Sequence, residues 1–522
     1  MTQNQEATSK SSRISHVARA SLLIAVFFTI DKLLGFVRQV IIGRQFGVSE
    51  ELPAFDAFNA ANNLPDLLVA VISGGALAIA FIPVLSSTLE REGREATWAL
   101  FSHVANWAFT ITTAIAVVLF IFADSIVQRI VAPGFTLEQQ QLAVELMRFN
   151  LLATLLFSLS GLVSASLQSF QHFLLPALAP VVYDLGQIFG AIFLAPSEGY
   201  QIFGIELPTA GLGVHGLVYG VIIGALLHFV VQIPGLIRFH FRWFPLMGVG
   251  DPGLREVTRL MAPRILIMIA FQVTFVAQDN LASRLDVGSV TALVYGWLIM
   301  QVPETIIGTA IGIALLPTLS EYYARADGAN FARSVSRAIR VMLALTIPIA
   351  TILIVGIEPL IQGVFNFDEQ VTQLVIWAAR AYLLGLAGHS LLEIGARAFF
   401  ARHNAIIPLF AAVISAVTFI IISILLFQPL GAAGIGLSNS IAFTIEAIVL
   451  IFLLARIYPL IIHQGRPLLR IIPGSLLAAV VTYLLLQVIP GPTLLVGAGA
   501  ILGGSIVVFP FIRPELKMLK RL

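Results

Sequence analysis

"TIDKLLGFVRQVIIGRQFG", residues 29-47, is apolar enough to sit in lipid, yet it carries Asp31, Lys32, Arg38 and Arg44. At about 100° per residue, Asp31, Gly35 and Arg38 share one face of a helix and Lys32 lies about a quarter-turn away. An ionisable group at mid-bilayer costs about 2.5-3.5 kcal/mol on insertion scales, so such a stripe faces a partner or a wet cavity. Gly35, between the charges, permits close approach of a backbone or a ligand. The helix is therefore expected to turn its polar stripe into a bundle and its Leu, Ile and Phe side chains toward lipid or neighbouring helices.

The rest of the chain supports a membrane setting. Of 522 residues, 58% are hydrophobic and 11% charged, with mean hydropathy +0.94; soluble domains carry about 25% charged residues. Apolar runs long enough to cross the hydrocarbon core as helices recur from Ala18 onward. They are too long and continuous for barrel strands, so the fold class is an all-α polytopic membrane protein. Helices are expected near 18-43, 57-88, 97-122, 142-168, 173-195, 213-238, 257-283, 288-316, 334-357, 371-400, 404-427, 432-457, 469-489 and 493-513, about fourteen transmembrane helices in all. Alternate loops carry the basic residues: Lys10 and Arg13, Arg91 and Arg94, Arg238, Arg242 and Arg255, Arg325 and Arg333, Arg402, Arg466, and Lys517 to Arg521. The opposite loops are mostly acidic, with Arg129 and Arg284 as exceptions. The positive-inside rule then places both termini in the cytoplasm.

An internal repeat runs through the chain. Residues 148-181 and 380-413 match at Arg148 and Arg380, Ser158 and Ser390, and Pro176 and Pro408, at equal spacing. "GLGVHGL" (211-217) is followed by "GAAGIGL" (431-437), and "IPVLS" (82-86) by "LPTLS" (316-320). Direct repeats of six helices keep one orientation, which implies two pseudo-symmetric lobes about an axis along the membrane normal. The expected division is a polar tail at 1-17, lobes at 18-245 and 256-460, two additional helices at 469-513, and a basic tail at 514-522.

Further charges fall on the predicted spans: Asp56, Asp66, Arg148, Asp184, Arg264, Asp279, Glu304, Arg380, Glu393 and Arg397. Singly, most read as ion pairs or interfacial positions; Glu393 and Arg397 have i,i+4 spacing, and Arg148 and Arg380 occupy equivalent repeat positions. Collectively they suit a hydrated translocation cavity. There are no cysteines, which removes disulfides and thiolate chemistry. The chain lacks a GxxxxGK[ST] loop, HExxH and a nucleophile constellation. It reads as a transporter, not an enzyme, with no cofactor or metal. Any uphill step would draw on an ion gradient, the membrane potential or a partner.

The pieces LGFVR, Gly43-Arg44-Gln45-Phe46-Gly47, Asp56-Ala57-Phe58, NLPDLL and AFIPVLS resemble the MviN/MurJ family of lipid II flippases, as do 261-283 and 302-320. The resemblance spans essentially the whole chain. It implies two six-helix lobes alternating between inward-open and outward-open states, and a polyprenyl-pyrophosphate-linked sugar-peptide carried across a bacterial inner membrane. It implies substrate-binding roles for Arg38, at a family Arg position, for Asp56, and for Lys32, which replaces a family Arg and loses the bidentate fork. Asp31, Gly35, Asp279 and Glu304 are cavity or gating candidates. The departures are Val69, Ala70 and Gly74 where the family has two Arg and a Glu, and Trp297 and Leu298 where it has an Asp-Arg pair. Arg264 is the candidate to supply part of the missing charge. Rival readings are an exporter of another polyprenyl-linked glycan, a drug or cation antiporter, disfavoured by Lys32 and Arg38, and a non-transporting scaffold for cell-wall enzymes.

Overall fold

A computed structural model describes residues 26-48, 50-72, 75-202, 204-462 and 465-519. The start of the first expected helix and both terminal tails, apart from 514-519, lie outside the described residues. Helices follow one another as α1 (26-46), α2 (Leu52–Ile72), α3 (Gly75–Arg91), α4 (Arg94–Ile121), α5 (Leu137–Ser169), α6 (Leu174–Phe189), α7 (Val214–Val230), α8 (Pro252–Ala282), α9 (Ser289–Glu304), α10 (Ala310–Ala324), α11 (Gly328–Phe365), α12 (Glu369–Leu384), α13 (Leu386–Ala401), α14 (Ile406–Ile457), α15 (Gly465–Val488) and α16 (Thr493–Leu519). A two-residue hairpin, Gln201–Ile202 against Ile205–Glu206, interrupts the loop before α7.

Ten helices among the described residues are long and apolar enough to cross a membrane, or up to eleven if the α12–α13 pair, bent by 43°, is one span. The chain is thus a multi-pass membrane protein. The expected fourteen is reached only by adding α1, which carries Asp31, Lys32 and Arg38 within one span, the α2–α3 pair, and both arms of α14. In α14, Gly431 takes φ 57° and ψ −143° and breaks the helix in two. Five-residue π segments, Gly190–Leu194 and Thr305–Thr309, extend α6 and join α9 to α10.

Two compact units emerge. The first contains the chain up to Gln45, Ala61–Val127 and Gln141–Met268; the second contains Phe46–Ala60, Gln128–Gln140 and Ile269–Leu522. This partition differs from a single cut between 245 and 256, because two stretches of the first half fold with the second. In the first unit Phe81, Leu85, Trp98, Phe101 and Leu162 form a core, with Trp98 stacked on Phe170. Helices α6 and α7 approach through glycine: a Cβ on Gly186 would lie 2.4 Å from the Gly224 Cα, the close contact that small residues allow between helices in lipid. The segment after α7 is strapped along α4. Trp98 Nε1 donates to the Phe239 carbonyl at 3.1 Å, Asn106 Nδ2 to those of Phe244 and Leu246 at 2.9 Å, and Trp107 Nε1 to Met247 at 2.9 Å. His103 and Asp251 close the strap at 2.7 Å.

In the second unit α11 is central. Asp327 caps its start, accepting from the Asn330 amide at 3.0 Å, and these hydrogen bonds hold its carboxyl below the ordinary 3.8. One face of α11 packs on a core with Leu319, Ile394, Phe399 and Leu450. Another receives α15 and α16 through Ile352, Ile471, Ala478 and Val508.

The repeat is visible as geometry. Arg148 Nε donates to the Phe120 carbonyl at 3.2 Å and Nη2 to Asp124 at 2.7 Å. Arg380 Nε donates to the Ile354 carbonyl at 2.9 Å and Nη2 to Glu358 at 3.4 Å. Each guanidinium clasps a carbonyl and the carboxylate four residues beyond it. The glycine match needs a shift of two residues: Gly213, before α7, has φ 56° and ψ −138°, nearly the values of Gly431, so Gly213 and not Gly211 is its counterpart.

Candidate functional site

The polar stripe of α1 has a partner within the first unit. Arg38 Nη1 donates to Asp184 Oδ1 at 2.7 Å, and the side chains are 18% and 7% exposed. A Cβ on Gly35 would stand 3.4 Å from the other Asp184 oxygen. The glycine therefore lets α6 bring its carboxylate close to α1. Lys32 pairs with Asp31 at 3.2 Å and is 60% exposed, with its ammonium 5.2 Å from the Phe28 ring centre. Asp31 lines a cavity of about 260 Å³ with Gln168, Phe173, Pro176 and Pro180. Asp66 on α2 is exposed and lies within electrostatic reach of Arg38. The Arg38 Nε is buried with no hydrogen-bond acceptor among the described residues. A buried cationic donor without an acceptor is costly, and an anionic ligand would satisfy it with a charge-assisted hydrogen bond.

Asp56 belongs elsewhere. It is 2% exposed in the second unit and accepts from the Gly288 amide at 2.6 Å, the Thr291 amide at 2.8 Å and Thr291 Oγ1 at 2.7 Å. Gly288 offers no side chain to cap α9, so α2 supplies the missing acceptor, where the helix dipole favours a negative charge. Asn59 Nδ2 donates to Thr291 Oγ1 at 3.0 Å. Gln139 to the Pro53 carbonyl, Gly134 to Ser283 and Asn280 to the Ile130 carbonyl complete the knot. Asp56 thus holds helix ends together, and its acceptors are occupied by protein.

The remaining second-unit candidates separate from one another. Asp279 is buried. Glu304, half-buried at the start of the π segment, accepts from Thr309 Oγ1 at 3.3 Å. Glu393 and Arg397 form the expected i,i+4 pair. Arg264 falls on α8, and its side chain lies outside the described residues. Trp297, where the resemblance leads one to look for an acid, is ringed by Phe271, Phe275, Tyr382 and His389 with centroids 5.4-6.5 Å away. An aromatic cluster, not a charge pair, occupies this position. Sequence reasoning also missed the strap on α4, whose signal was the density of Trp and Asn at 98-107.

The Lipid II flippase MurJ family model matches residues 43–498. The lipid II flippase MurJ of Burkholderia cenocepacia is 31% identical over 447 residues, 83% of this chain and 82% of the relative. Among solved structures, a lipid II flippase MurJ in an inward closed conformation aligns with TM-score 0.77 at 24% identity, covering 95% of this chain and 99% of its own. An inward-facing multidrug resistance MATE transporter of the MOP superfamily aligns at 0.68 and 14% identity, covering 84% and 98%. The structural matches establish the shared fold, and the family match and the sequence identity together establish that this chain belongs to the lipid II flippase MurJ family.

Proposed function

We propose that this chain is a flippase that moves lipid II, the polyprenyl-pyrophosphate-linked peptidoglycan precursor, across the bacterial cytoplasmic membrane. It is a transporter and not an enzyme, and its place is in peptidoglycan and cell-wall biogenesis. Family membership supports the substrate class, and the observation that carries the site is the Arg38 guanidinium, fixed by Asp184 with its Nε unsatisfied. A pyrophosphate needs cationic donors in a wet cavity, while its polyprenyl tail stays in lipid. Arg38 is the anchoring donor, Lys32 a more exposed cation at the approach, and Asp31 holds Lys32 in place. Gly35 keeps the floor open. Arg264 on α8 contributes a further cation, and Asp56, its oxygens taken up by Gly288 and Thr291, serves the fold and not the substrate. Both termini lie in the cytoplasm, on the side of the basic loops. Because the chain has no nucleotide-binding loop, the membrane potential or an ion gradient drives net movement.

The test is rescue of bacteria depleted of their own lipid II flippase, scored by growth and by lipid II exposed on the outer leaflet. Wild type restores exposure; R38A, expressed at wild-type level, loses it by about tenfold or more, the equivalent of one charge-assisted hydrogen bond. Full exposure with R38A would remove Arg38 from the site. Aromatic Trp297 in place of a charge pair favours one second reading, a different polyprenyl-linked glycan. On that reading the expressed wild type leaves lipid II inside.

A further inference from the structure

A groove of about 640 Å³ opens between α4 and α5, within the first unit. Its walls are apolar: Ala116, Val117, Leu151, Leu152 and Leu155 line it, and Val117 and Leu152 are about half exposed. From Thr113 to Asp124 it runs about 16 Å along the helix axis at 1.5 Å per residue, about the depth of one leaflet of the hydrocarbon core. One end is charged. Asp124, Glu145 and Arg148 all line the groove at the end where α4 finishes and α5 begins.

The charges there are only partly used. Arg148 spends Nε on the Phe120 carbonyl and Nη2 on Asp124 Oδ2, and Nη1 has no partner among the described residues. Glu145 Oε1 lies 3.4 Å from His215 Nε2. Asp124 Oδ1 and Glu145 Oε2 have no partner among the described residues, and two acids line the groove beside one arginine. A purely anionic headgroup, including a pyrophosphate, would meet net negative charge. A quaternary amine would have no N–H to give.

The repeat supplies an internal comparison. Three residues before Arg380 stands Trp377, whose ring centre lies 5.1 Å from the guanidinium. Three residues before Arg148 stands Glu145. Arg148 takes its ring contact from Phe120 instead, 5.2 Å from the guanidinium, so the position three residues before the arginine carries a ring in one half and is left to a carboxylate lining the groove in the other.

We propose that this groove binds a phospholipid whose headgroup carries a primary amine beside its phosphate. The ammonium is held between Asp124 and Glu145, the phosphate by Arg148 Nη1, and one acyl chain lies along Val117, Leu151 and Leu155. This site is separate from the Arg38 cluster, and its occupant is a bilayer lipid, not the transported one.

The experiment is native mass spectrometry of the delipidated full chain in detergent, with equal amounts of phosphoethanolamine, phosphocholine and phosphoglycerol lipids of identical acyl chains. The phosphoethanolamine lipid should be retained over either competitor by about fivefold, the upper value for one solvent-accessible ion pair. E145Q should reduce that preference toward parity, and E145W, which copies the Trp377 arrangement, should remove the adduct. Parity among the three lipids in the wild type, or preference for phosphoglycerol, overturns the proposal. So does an undiminished preference in E145Q with an unchanged melting profile, which keeps the test decisive should E145W fail to fold.

Discussion

Asp56 shows how one carboxylate can carry a helix end. It accepts three hydrogen bonds from Gly288 and Thr291 while buried, so truncation removes a cap and leaves two amides without acceptors. D56A should lower stability to chemical unfolding in mixed micelles by about 2 kcal/mol. D56N, which keeps one acceptor oxygen, should lose about half of that. Equal stability of D56A and wild type would mean that the α9 end is held by other contacts. The DAF motif was legible in the sequence, but its acid read as a substrate-binding residue, and neither its burial nor its partner was visible. The partner lies more than two hundred residues away, and the need for it arises because Gly288, in a left-handed conformation at φ 93°, has no side chain for its own helix. Trp297 was legible as a departure, whereas the ring cluster that fills its surroundings comes from α8, α12 and α13 and has no local signature.

At the scale of elements, long apolar runs announced most helices, because backbone groups in lipid must bond within their own segment. What the apolar runs left open was the backbone geometry at their breaks. The boundary expected between 404-427 and 432-457 falls where Gly431 divides the helix from Ile406 to Ile457, whereas the matching glycine before α7 lies two residues from where pattern matching put it. At Gly431 the point where a Cβ would stand has nothing within 4 Å, so G431A carries backbone strain and no steric clash. It should cost about 1-3 kcal/mol, measured as a lowered melting temperature, and G213A should cost a similar amount because its dihedrals are nearly the same. An unaltered melting temperature in both would show that the α14 break does not require a left-handed residue. Charge placement on α1 was readable from helical periodicity, while its partner Asp184 had to be found in space.

Across the whole molecule the direct repeat was readable from matched Arg and Pro positions, and the placing of residues 46-60 and 128-140 with the second compact unit was not. Residues 46-60 and 128-140 join the second unit through side-chain to backbone hydrogen bonds, which leave no trace in hydropathy. The two arginine clasps lie in different units, so their effects should be independent. R148A and R380A should each cost about 1-2 kcal/mol, a modest ion pair plus a carbonyl hydrogen bond. The double variant should equal the two together within about 0.5 kcal/mol, and a larger departure would show that the units unfold as one. The clasps also bear on ancestry. Between the copies Asp124 has become Glu358 and the aromatic partner has moved from Phe120 to Trp377, while the spacing from bonded carbonyl to carboxylate is unchanged. Inheritance in a duplicated membrane protein can therefore be traced by a donor's place on its helix after the residues around it have drifted, and a fused gene can give one descendant of a structural joint a new lipid to hold while the other keeps the original task.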